Sequence, residues 1–428
     1  MKGSMKIEIN NGRLVDAENH LDQVQPLYLA DGKIVAIGRA PEGWKAGKVI
    51  DAAGKIVCPG LIDLCARLRE PGLEHKATLE SEMLAAVAGG VTSLVCPPDT
   101  DPVLDEPGLV EMLKRRAAAL NQAHVYPLGA LTAGLRGGQL SEMVELTEAG
   151  CVGFTNGDKP IADTVVLYRA MQYAATYGYC VWLRPEDAHL ARGGMAHDGE
   201  VASRLGLAGI PVSAETVAIS TIVTLMRDTG ARVHLARLSS RLGVDLVRAA
   251  KAEGLPLTCD VGVHHLLLTD RDIGYFDSHY RFTPPLRSPS DRDALSRGVI
   301  DGTIDAICSD HTPVDEDAKN VPFGEAEPGA TGLELLLPLT LKWAEQAGVS
   351  IAAALQKITA GPAGLLGLDA GKIAVAARAD LCIFDPAAFW ALTPQTLRSQ
   401  GKNSPWLRRE LQARVTHTLV NGALVFKA

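Results

Sequence analysis

Features that would point to nucleic acid or to a membrane are missing from this 428-residue sequence. Lysine and arginine form no dense run. The formal net charge is −8 and the isoelectric point is near 5.8, so nucleic-acid and membrane-surface partners are not expected. No apolar stretch approaches the length needed to cross a bilayer. The N-terminus shows no apolar signal segment, and residues 1–4, which precede a second methionine, look like an addition made for expression.

Paired cysteine motifs are also missing. The eight cysteines include no Cys-x-x-Cys pair, and most of them lie inside apolar runs, as Cys96 and Cys180 do. This usage is typical of a reducing compartment and not of a disulfide framework, so we expect a cytoplasmic protein. With 47% hydrophobic residues, the chain is long enough for one large barrel plus a smaller unit, or for two or three ordinary domains.

Short strand-like runs separated by turns occupy both ends of the sequence. They extend from residue 6 to residue 57, and the same pattern returns after residue 371 and includes a turn pair at Asn421-Gly422. Two β-rich ends around a different middle predict one small domain that is built from both termini. We expect a β-sandwich-like domain made of residues 5–58 and 369–428.

Between these ends, apolar runs alternate with amphipathic stretches that favour helices. The eight apolar runs are residues 56–64, 91–97, 124–131, 151–155, 179–184, 232–238, 255–261 and 304–310. Strand then helix, repeated eight times, predicts an α/β fold of the (β/α)8 TIM-barrel type over residues 59–368. The alternative is an open doubly wound sheet, which would normally carry a Gly-rich phosphate turn after its first strand, and none is present.

The first predicted barrel strand leads into residues 59–72, PGLIDLCARLREPG, and chemistry in such barrels sits where strands end. This segment resembles the amidohydrolase superfamily and dihydroorotase in particular, whose signature there is Pro-Gly-x-Ile-Asp-x-His-x-His-x-Arg-Glu-Pro-Gly. The resemblance extends over nearly the whole chain. It implies a metal-dependent barrel that opens or closes a cyclic amide, and it places Cys65 and Arg67 at the two metal-binding histidines.

The chemistry of this His-x-His pattern is strict. Alternate residues of a strand point the same way, so the two histidines deliver two neutral imidazoles to one metal. Cys65 could supply a thiolate to zinc. Arg67 cannot act as a ligand, because a guanidinium group has no free lone pair and does not deprotonate in proteins.

The other metal positions that the resemblance implies are also altered. Relatives place a carboxylate or a carboxylated lysine after the fourth strand, where Asn156 or Gly157 stands; Asp158 or Lys159 would need a shifted loop to replace it. The histidines at the ends of the fifth and sixth strands are replaced by Arg184 and Arg237.

Asp310 keeps its place at the end of the eighth strand, where relatives have the carboxylate that binds metal and moves the proton of the attacking water. The implied substrate contacts are mostly lost as well. Arg69, which corresponds to the clamp for the substrate carboxylate, is retained. An Asn is replaced by Asp99, a second Asn by Thr283 and a His by Val314.

From these substitutions we expect a protein without catalysis, metal or other cofactor, in which Asp310 is a remnant of the base. Arg67, Arg184 and Arg237 are expected to converge near Asp310 in a salt-bridged pocket, because buried charges must be paired. Their expected acidic partners are Asp310, Asp99 or Glu186. Four further polar residues near strand ends are expected to be hydrogen-bonded structural residues, namely Asp63, His264, His265 and His311.

One group of relatives fits this pattern: the inactive dihydroorotase-like proteins of some bacteria, which associate with aspartate transcarbamoylase and are needed to assemble it. The resemblance therefore implies a structural subunit of pyrimidine biosynthesis that forms oligomers with itself and with the catalytic chain of aspartate transcarbamoylase. The main alternative is an active zinc-dependent dihydroorotase or related cyclic amidohydrolase with an altered site. Two further alternatives are hydrolysis without metal, with Asp310 as base, and a sensor that binds an anionic metabolite at Arg69 and the substituted arginines.

Overall fold

The structure, a computed structural model, describes residues 6–428. Residues 1–4 and residue 5, the predicted start of the small domain, lie outside the described residues. The strands are β1 (Ile7–Asn10), β2 (Arg13–Asp16), β3 (Leu21–Val24), β4 (Leu27–Ala30), β5 (Lys33–Ile37), β6 (Lys48–Asp51), β7 (Ile56–Pro59), β8 (Leu61–Asp63), β9 (Val91–Cys96), β10 (His124–Pro127), β11 (Gly129–Ala130), β12 (Phe154–Thr155), β13 (Cys180–Leu183), β14 (Ala196–His197), β15 (Gly209–Ile210), β16 (Arg232–Leu235), β17 (Leu257–Gly262), β18 (Ala306–Cys308), β19 (Leu381–Ala391), β20 (Glu410–Val420) and β21 (Ala423–Lys427).

The α-helices are α1 (Leu79–Ala88), α2 (Pro107–Leu120), α3 (Met143–Ala149), α4 (Thr164–Tyr177), α5 (Glu200–Leu205), α6 (Val212–Thr229), α7 (Arg241–Ala252), α8 (Pro289–Ile300), α9 (Leu336–Ala347), α10 (Ile351–Gln356) and α11 (Ala360–Leu366). Short 3₁₀ helices lie at Ala133–Leu135, Val263–Leu266, Asp270–Ile273, Ser278–Tyr280 and Leu333–Leu335. Within residues 6–428, none of the helices is long and apolar enough to cross a membrane.

Eight parallel strand positions form the barrel, in the order β8, β9, β10 with β11, β12, β13, β16, β17 and β18. β10 and β11 are two halves of one strand, separated only by Leu128, whose N–H donates to the Cys96 carbonyl at 2.9 Å. The last strand returns to the first, because Arg67 N–H donates to the His311 carbonyl and His311 N–H donates to the Cys65 carbonyl, both at 3.0 Å. The predicted (β/α)8 barrel is confirmed.

The predicted apolar run 56–64 is not one strand, which corrects the sequence interpretation. β7 pairs with β2 and β19 in the small domain, whereas β8 pairs with β9 in the barrel. The chain changes sheet at Gly60, whose N–H donates to the Asp380 carbonyl, while the next N–H, of Leu61, donates to Gly90. A Cβ at residue 60 would lie 2.1 Å from Thr92 Oγ1, so only glycine allows this close passage.

The small domain combines both ends of the chain. One sheet has the order β5-β4-β1-β6, and the other has the order β21-β20-β19-β7-β2-β3, so C-terminal strands pair with N-terminal ones. Buried aliphatic side chains from both termini share one core, among them Ile7, Leu29, Val57, Ile383 and Leu419. A segment between β19 and β20 leaves this domain and lies against the barrel, which matters for the site described below.

Local sequence explains the elements that position the barrel mouth. β9 is buried along its whole length and rich in β-branched and aliphatic residues, as a strand covered on both faces requires. Full burial of a side chain such as Leu94 contributes about 1.5–3 kcal/mol. The Thr78 hydroxyl caps the first turn of α1, and Ser288 followed by Pro289 begins α8.

Candidate functional site

The carboxyl ends of the barrel strands bring four charged side chains together with one from a loop. Arg67, Arg184, Arg237 and Asp310 follow β8, β13, β16 and β18, and Asp158 lies in the loop after β12. Because the strands are parallel, their carboxyl ends meet at one rim of the barrel. The result is a compact cluster of ion pairs, which we call the mouth cluster; Asp99 and Glu186 complete it.

Asp158 is the centre of the mouth cluster. Its Oδ2 lies 2.6 Å from Arg67 Nη2, and its Oδ1 lies 3.1 Å from Arg184 Nε and also pairs with Arg237 Nη2. Its main-chain carbonyl accepts a further bond, of 2.8 Å, from Arg184. Burial raises the pKa of the Asp158 carboxyl, but the charges of Arg237, Arg67 and Arg184 outweigh it and hold this pKa well below its ordinary value.

Arg67 stands where the resemblance implies the second histidine of the signature. Its side chain is only 3% exposed, and its guanidinium lies 2.7 Å from Asp99 Oδ2, 2.6 Å from Asp158 and 3.4 Å from Asp310 Oδ1. It also donates to Thr312 Oγ1 at 2.7 Å. Burial opposes its charge, yet Asp158 and Asp99 raise the pKa of Arg67 well above its ordinary value, so it is a permanent cation.

Asp310 is held on the inner side of the cluster and its side chain is 2% exposed. Its Oδ1 lies 2.7 Å from Arg237 Nη1 and also contacts Arg67 and the Cys65 thiol. Arg69, Arg237 and Asp310 all have left-handed backbone, with φ of +63°, +60° and +49°. Such strain in non-glycine residues is characteristic of sites whose side chains are held in a required direction.

Arg184 differs from the prediction that all three arginines would gather at Asp310. It forms a two-pronged pair with Glu186, at 2.6 and 2.7 Å, and it contacts Asp158. Of the three arginines, Arg67 and Arg237 contact Asp310 and Arg184 does not. Glu186 lies two residues along the chain and pairs with Arg184 through both of its carboxylate oxygens. This bidentate pair holds the Arg184 guanidinium away from Asp310.

The sequence interpretation missed the central role of Asp158. Asn156, which stands in the predicted bridging position, does not join the ion pairs; it accepts from Thr132 Oγ1 at 2.7 Å and donates to the Lys159 carbonyl at 2.8 Å. The chain then turns at Gly157, with φ of +60°, and this turn directs Asp158 to the three arginines. Gly157 is the one sequence signal that could have indicated a changed loop.

The predicted substrate-contact positions are spread around the mouth. Asp99 pairs with Arg67, whereas Arg69 donates through Nε to the Pro313 carbonyl at 2.9 Å. Burial lowers the pKa of Arg69. Thr283 contributes its carbonyl, 3.4 Å from Arg237 Nη1.

Val314 is fully buried beneath the segment that joins β19 to β20. Its N–H donates to Asn403 Oδ1 at 3.0 Å, and Asn403 Nδ2 donates to the Thr312 and Gly329 carbonyls at 2.9 and 3.1 Å. This segment from the small domain therefore covers part of the rim near the eighth strand.

The four polar residues expected to be structural are buried and hydrogen-bonded within the fold. Asp63 accepts from Ser309, His311 pairs with Glu82 at 2.6 Å, His264 accepts from Trp406 at 3.0 Å, and His265 bonds the Pro284 carbonyl. These bonds tie the first and last barrel strands to α1 and to the segment that follows β19.

The residues present do not fit a zinc centre. Three of the positions at which the resemblance implies metal ligands carry guanidinium groups, which cannot bind a metal ion, and Asp310 is paired with two of them. Across residues 6–428, no group of three or more His, Cys, Asp and Glu side chains is arranged to hold a metal ion.

Known proteins that are similar to this chain belong to families with the same kind of barrel. Residues 54–242 match the family described as dihydro-orotase-like, and residues 186–425 match the amidohydrolase family. The chain is 47% identical over 420 residues to a dihydroorotase-like protein of Pseudomonas aeruginosa, which covers 98% of this chain and 99% of that protein. It is also 39% identical over 419 residues to a dihydroorotase of Anaeromyxobacter dehalogenans, which covers 97% of both chains.

Among solved structures, L-hydantoinase (dihydropyrimidinase) of Arthrobacter aurescens superposes with a TM-score of 0.88 at 25% identity, covering 98% of this chain and 96% of that one. A D-hydantoinase superposes with a TM-score of 0.82 at 22% identity, which speaks for the fold alone. The chain belongs to the dihydroorotase-like branch of the amidohydrolase family.

Proposed function

We propose that this chain is a catalytically inactive dihydroorotase-like protein that serves as a structural subunit in pyrimidine biosynthesis. The observation that carries the proposal is the mouth cluster, in which Asp158 pairs with Arg67, Arg184 and Arg237 at the metal positions of the family. The guanidinium groups supply the positive charge that a metal centre would otherwise supply.

The chemistry of the family reaction supports the same proposal. Opening a cyclic amide requires an activated water, and a bound metal supplies it by lowering the pKa of that water. Asp310, at the position of the base, directs Oδ1 to Arg237 and Arg67. Two guanidinium groups thus occupy the oxygen that an attacking water would need as its hydrogen-bond acceptor.

We further propose that the partner is the catalytic chain of aspartate transcarbamoylase and that the assembly is cytoplasmic. The partner follows from the inactive bacterial proteins that the sequence resembles. All eight cysteines are free thiols, which supports a reducing compartment. In this role the barrel is retained as a scaffold, and its rigid mouth cluster serves stability.

The competing function is an active dihydroorotase or related cyclic amidohydrolase with an altered site. It is favoured by relatives that are named dihydroorotase and are 39% identical to this chain over nearly its whole length. A sensor of anionic metabolites is less favoured, because the charges of the mouth balance. The mouth holds four guanidinium groups and four carboxylates, namely Arg67, Arg69, Arg184 and Arg237 with Asp99, Asp158, Glu186 and Asp310. An incoming anion would therefore meet a site with little net positive charge.

Turnover and metal content distinguish the first two functions. We expect the purified protein, incubated with zinc and then dialysed, to hold far less than one zinc per chain and to convert neither dihydroorotate nor carbamoyl aspartate above the background rate. An active dihydroorotase from a relative, treated in parallel, serves as the positive control. Zinc at one or two equivalents, or turnover that the Asp310→Asn variant abolishes, would refute the inactive assignment.

Partnership is tested separately. The aspartate transcarbamoylase catalytic chain from the same organism, purified alone and mixed with this protein, should shift to a larger defined complex in sedimentation velocity. If the two proteins sediment independently at micromolar concentrations, the structural role is wrong.

A further inference from the structure

An aromatic pair projects from the loop that follows β17. Tyr275 is 90% exposed, the highest value for any large apolar side chain in residues 6–428, and Phe276 is 37% exposed. Their rings meet edge to face with centroids 5.3 Å apart. Aromatic side chains are enriched at protein interfaces, and tyrosine is among the residues enriched at interface hot spots.

The backbone beneath this pair is tightly fixed. A 3₁₀ helix with a Thr269–Asp272 capping box precedes it, and a second 3₁₀ helix, capped by Asp277, follows it. Phe276 itself has φ of +60°, an unusual and strained value for a bulky residue. The capped turns on both sides limit the conformations of the tip, which reduces the entropy lost when a partner binds.

A second loop, residues 315–327, is fastened to the same base. Ser278 Oγ donates to the Lys319 carbonyl at 2.6 Å, and Lys319 Nζ donates back to the Ser278 carbonyl at 3.1 Å. The Arg281 guanidinium donates to the carbonyls of Phe323 and Gly324 at 3.0 and 2.6 Å. The two loops thus form one surface beside the barrel mouth, which we call the aromatic knob.

The exposed charges of the aromatic knob are mostly negative. The exposed acids of its two loops are Asp277, Glu316, Asp317 and Glu325. Arg271 is an exposed base, whereas the side chains of Lys319 and Arg281 are turned to main-chain carbonyls. An apolar tip within an acidic surround complements an apolar recess with a basic rim.

We propose that the aromatic knob is the surface by which this chain docks onto its partner subunit, and that the partner offers an apolar recess rimmed by lysine or arginine. The inference rests on the proposed structural role, which leaves the docking surface unassigned. A second copy of this chain is the less suitable occupant, because its own net charge is −8 and the knob is acidic.

Two sets of variants test the aromatic and the charged parts of the knob. Tyr275→Ser with Phe276→Gly removes both rings, and glycine accepts a φ of +60° without strain, so the melting temperature should not fall. Phe389→Ser, at a 62% exposed aromatic of the small domain, is the matched control. The charge of the knob is tested by a triple variant that combines Glu316→Lys, Asp317→Lys and Glu325→Lys. Its control is a triple variant with the same change of charge on α2 and α3, which combines Glu111→Lys, Glu145→Lys and Glu148→Lys.

The probe is the purified aspartate transcarbamoylase catalytic chain, and the readout is the dissociation constant by calorimetry at two salt concentrations. We expect each knob variant to bind at least about tenfold more weakly, equivalent to about 1.4 kcal/mol, and the controls to bind like wild type. Raising salt should weaken wild-type binding, and weaken it less after the charge reversal.

The outcomes separate this inference from the proposed function. Wild type that does not bind refutes the proposed partnership and this inference with it. Wild type that binds, with knob variants that bind equally well, refutes the inference alone. Knob variants that change self-association but not the affinity for the probe assign the knob to a second copy of this chain and likewise overturn it.

Discussion

Replacing Asp158 by Asn is the sharpest test of the mouth cluster, because it removes the charge at its centre and keeps the size of the side chain. Asp158 is the one acid that contacts Arg67, Arg184 and Arg237 together. Those arginine side chains are only 3–4% exposed, so they cannot be solvated in its place.

The expected magnitude follows from burial and from the remaining partners. Removing one partner of a buried ion pair costs about 3–5 kcal/mol, whereas an exposed pair contributes about 0–1 kcal/mol. Asp158 itself is 32% exposed, and each arginine keeps at least one other carboxylate. The remaining pairs are Arg67 with Asp99 and Asp310, Arg184 with Glu186, and Arg237 with Asp310. We therefore expect Asp158→Asn to lower the free energy of unfolding by about 2–3 kcal/mol.

Urea unfolding, followed by tryptophan fluorescence and by circular dichroism, measures this change. Asp245→Asn is the matched control, because Asp245 pairs with Arg248 in a pair that is about half exposed, and its loss should cost less than about 1 kcal/mol. A loss for Asp158→Asn no larger than that of the control would refute the view that the cluster stabilises the barrel mouth.

The same variant should change the response to acid. The pKa of Asp158 is lowered in the folded protein, so its contribution to stability is complete above the pKa of an unfolded aspartate, near 4, and is lost as the pH falls through the lower folded value. Wild type should therefore lose more stability than Asp158→Asn does below about pH 4. If wild type and Asp158→Asn lose stability equally as the pH falls below about 4, Asp158 is not the group that causes the acid sensitivity.

Three further predictions concern the surroundings of the cluster. Glu82→Gln removes a fully buried carboxylate that is hydrogen-bonded to His311 and to the Gln400 N–H, and it should cost about 1–3 kcal/mol in urea unfolding; an unchanged stability would contradict this. Gly72→Ala should lower the melting temperature, because its Cβ would lie 1.7 Å from the Asp101 carbonyl oxygen, whereas Gly108→Ala, with open space around it, should not. The variant that combines Cys65→His, Arg67→His, Arg184→His and Arg237→His should melt at a higher temperature when zinc is added, whereas the melting temperature of wild type should not change with zinc.

The barrel could be predicted from the alternation of apolar runs and helical stretches, since each strand must be buried on both faces. The split of residues 56–64 into β7 and β8 could not, because both halves are apolar and the change of sheet depends on one close contact between Gly60 and Thr92. Periodicity shows that a segment is buried. It does not show which of two sheets the segment joins.

At the site, the strand ends could be predicted because the register of a strand fixes which residues face the mouth. Arg67, Arg237 and Asp310 lie at such strand ends, at positions that the resemblance to dihydroorotase implies. The role of Asp158 could not be predicted, because this residue lies in a loop, where one residue with positive φ changes the direction of the next side chain. The pairing of Arg184 with Glu186 depends likewise on loop geometry that no strand register determines.

The mouth cluster also explains why arginine, and not a neutral residue, stands at the positions where the resemblance implies metal ligands. Without a cation, Asp99, Asp158, Asp310 and Glu186 would repel one another in a largely buried mouth, and neutral replacements would leave that repulsion in place. Arginine brings a charge that neither dissociates nor deprotonates, and its planar group can meet two carboxylates at once, as Arg237 does with Asp158 and Asp310. The same contacts hold the carboxylate that would act as the base. On the proposed function, the stable mouth and the loss of chemistry therefore have one electrostatic cause.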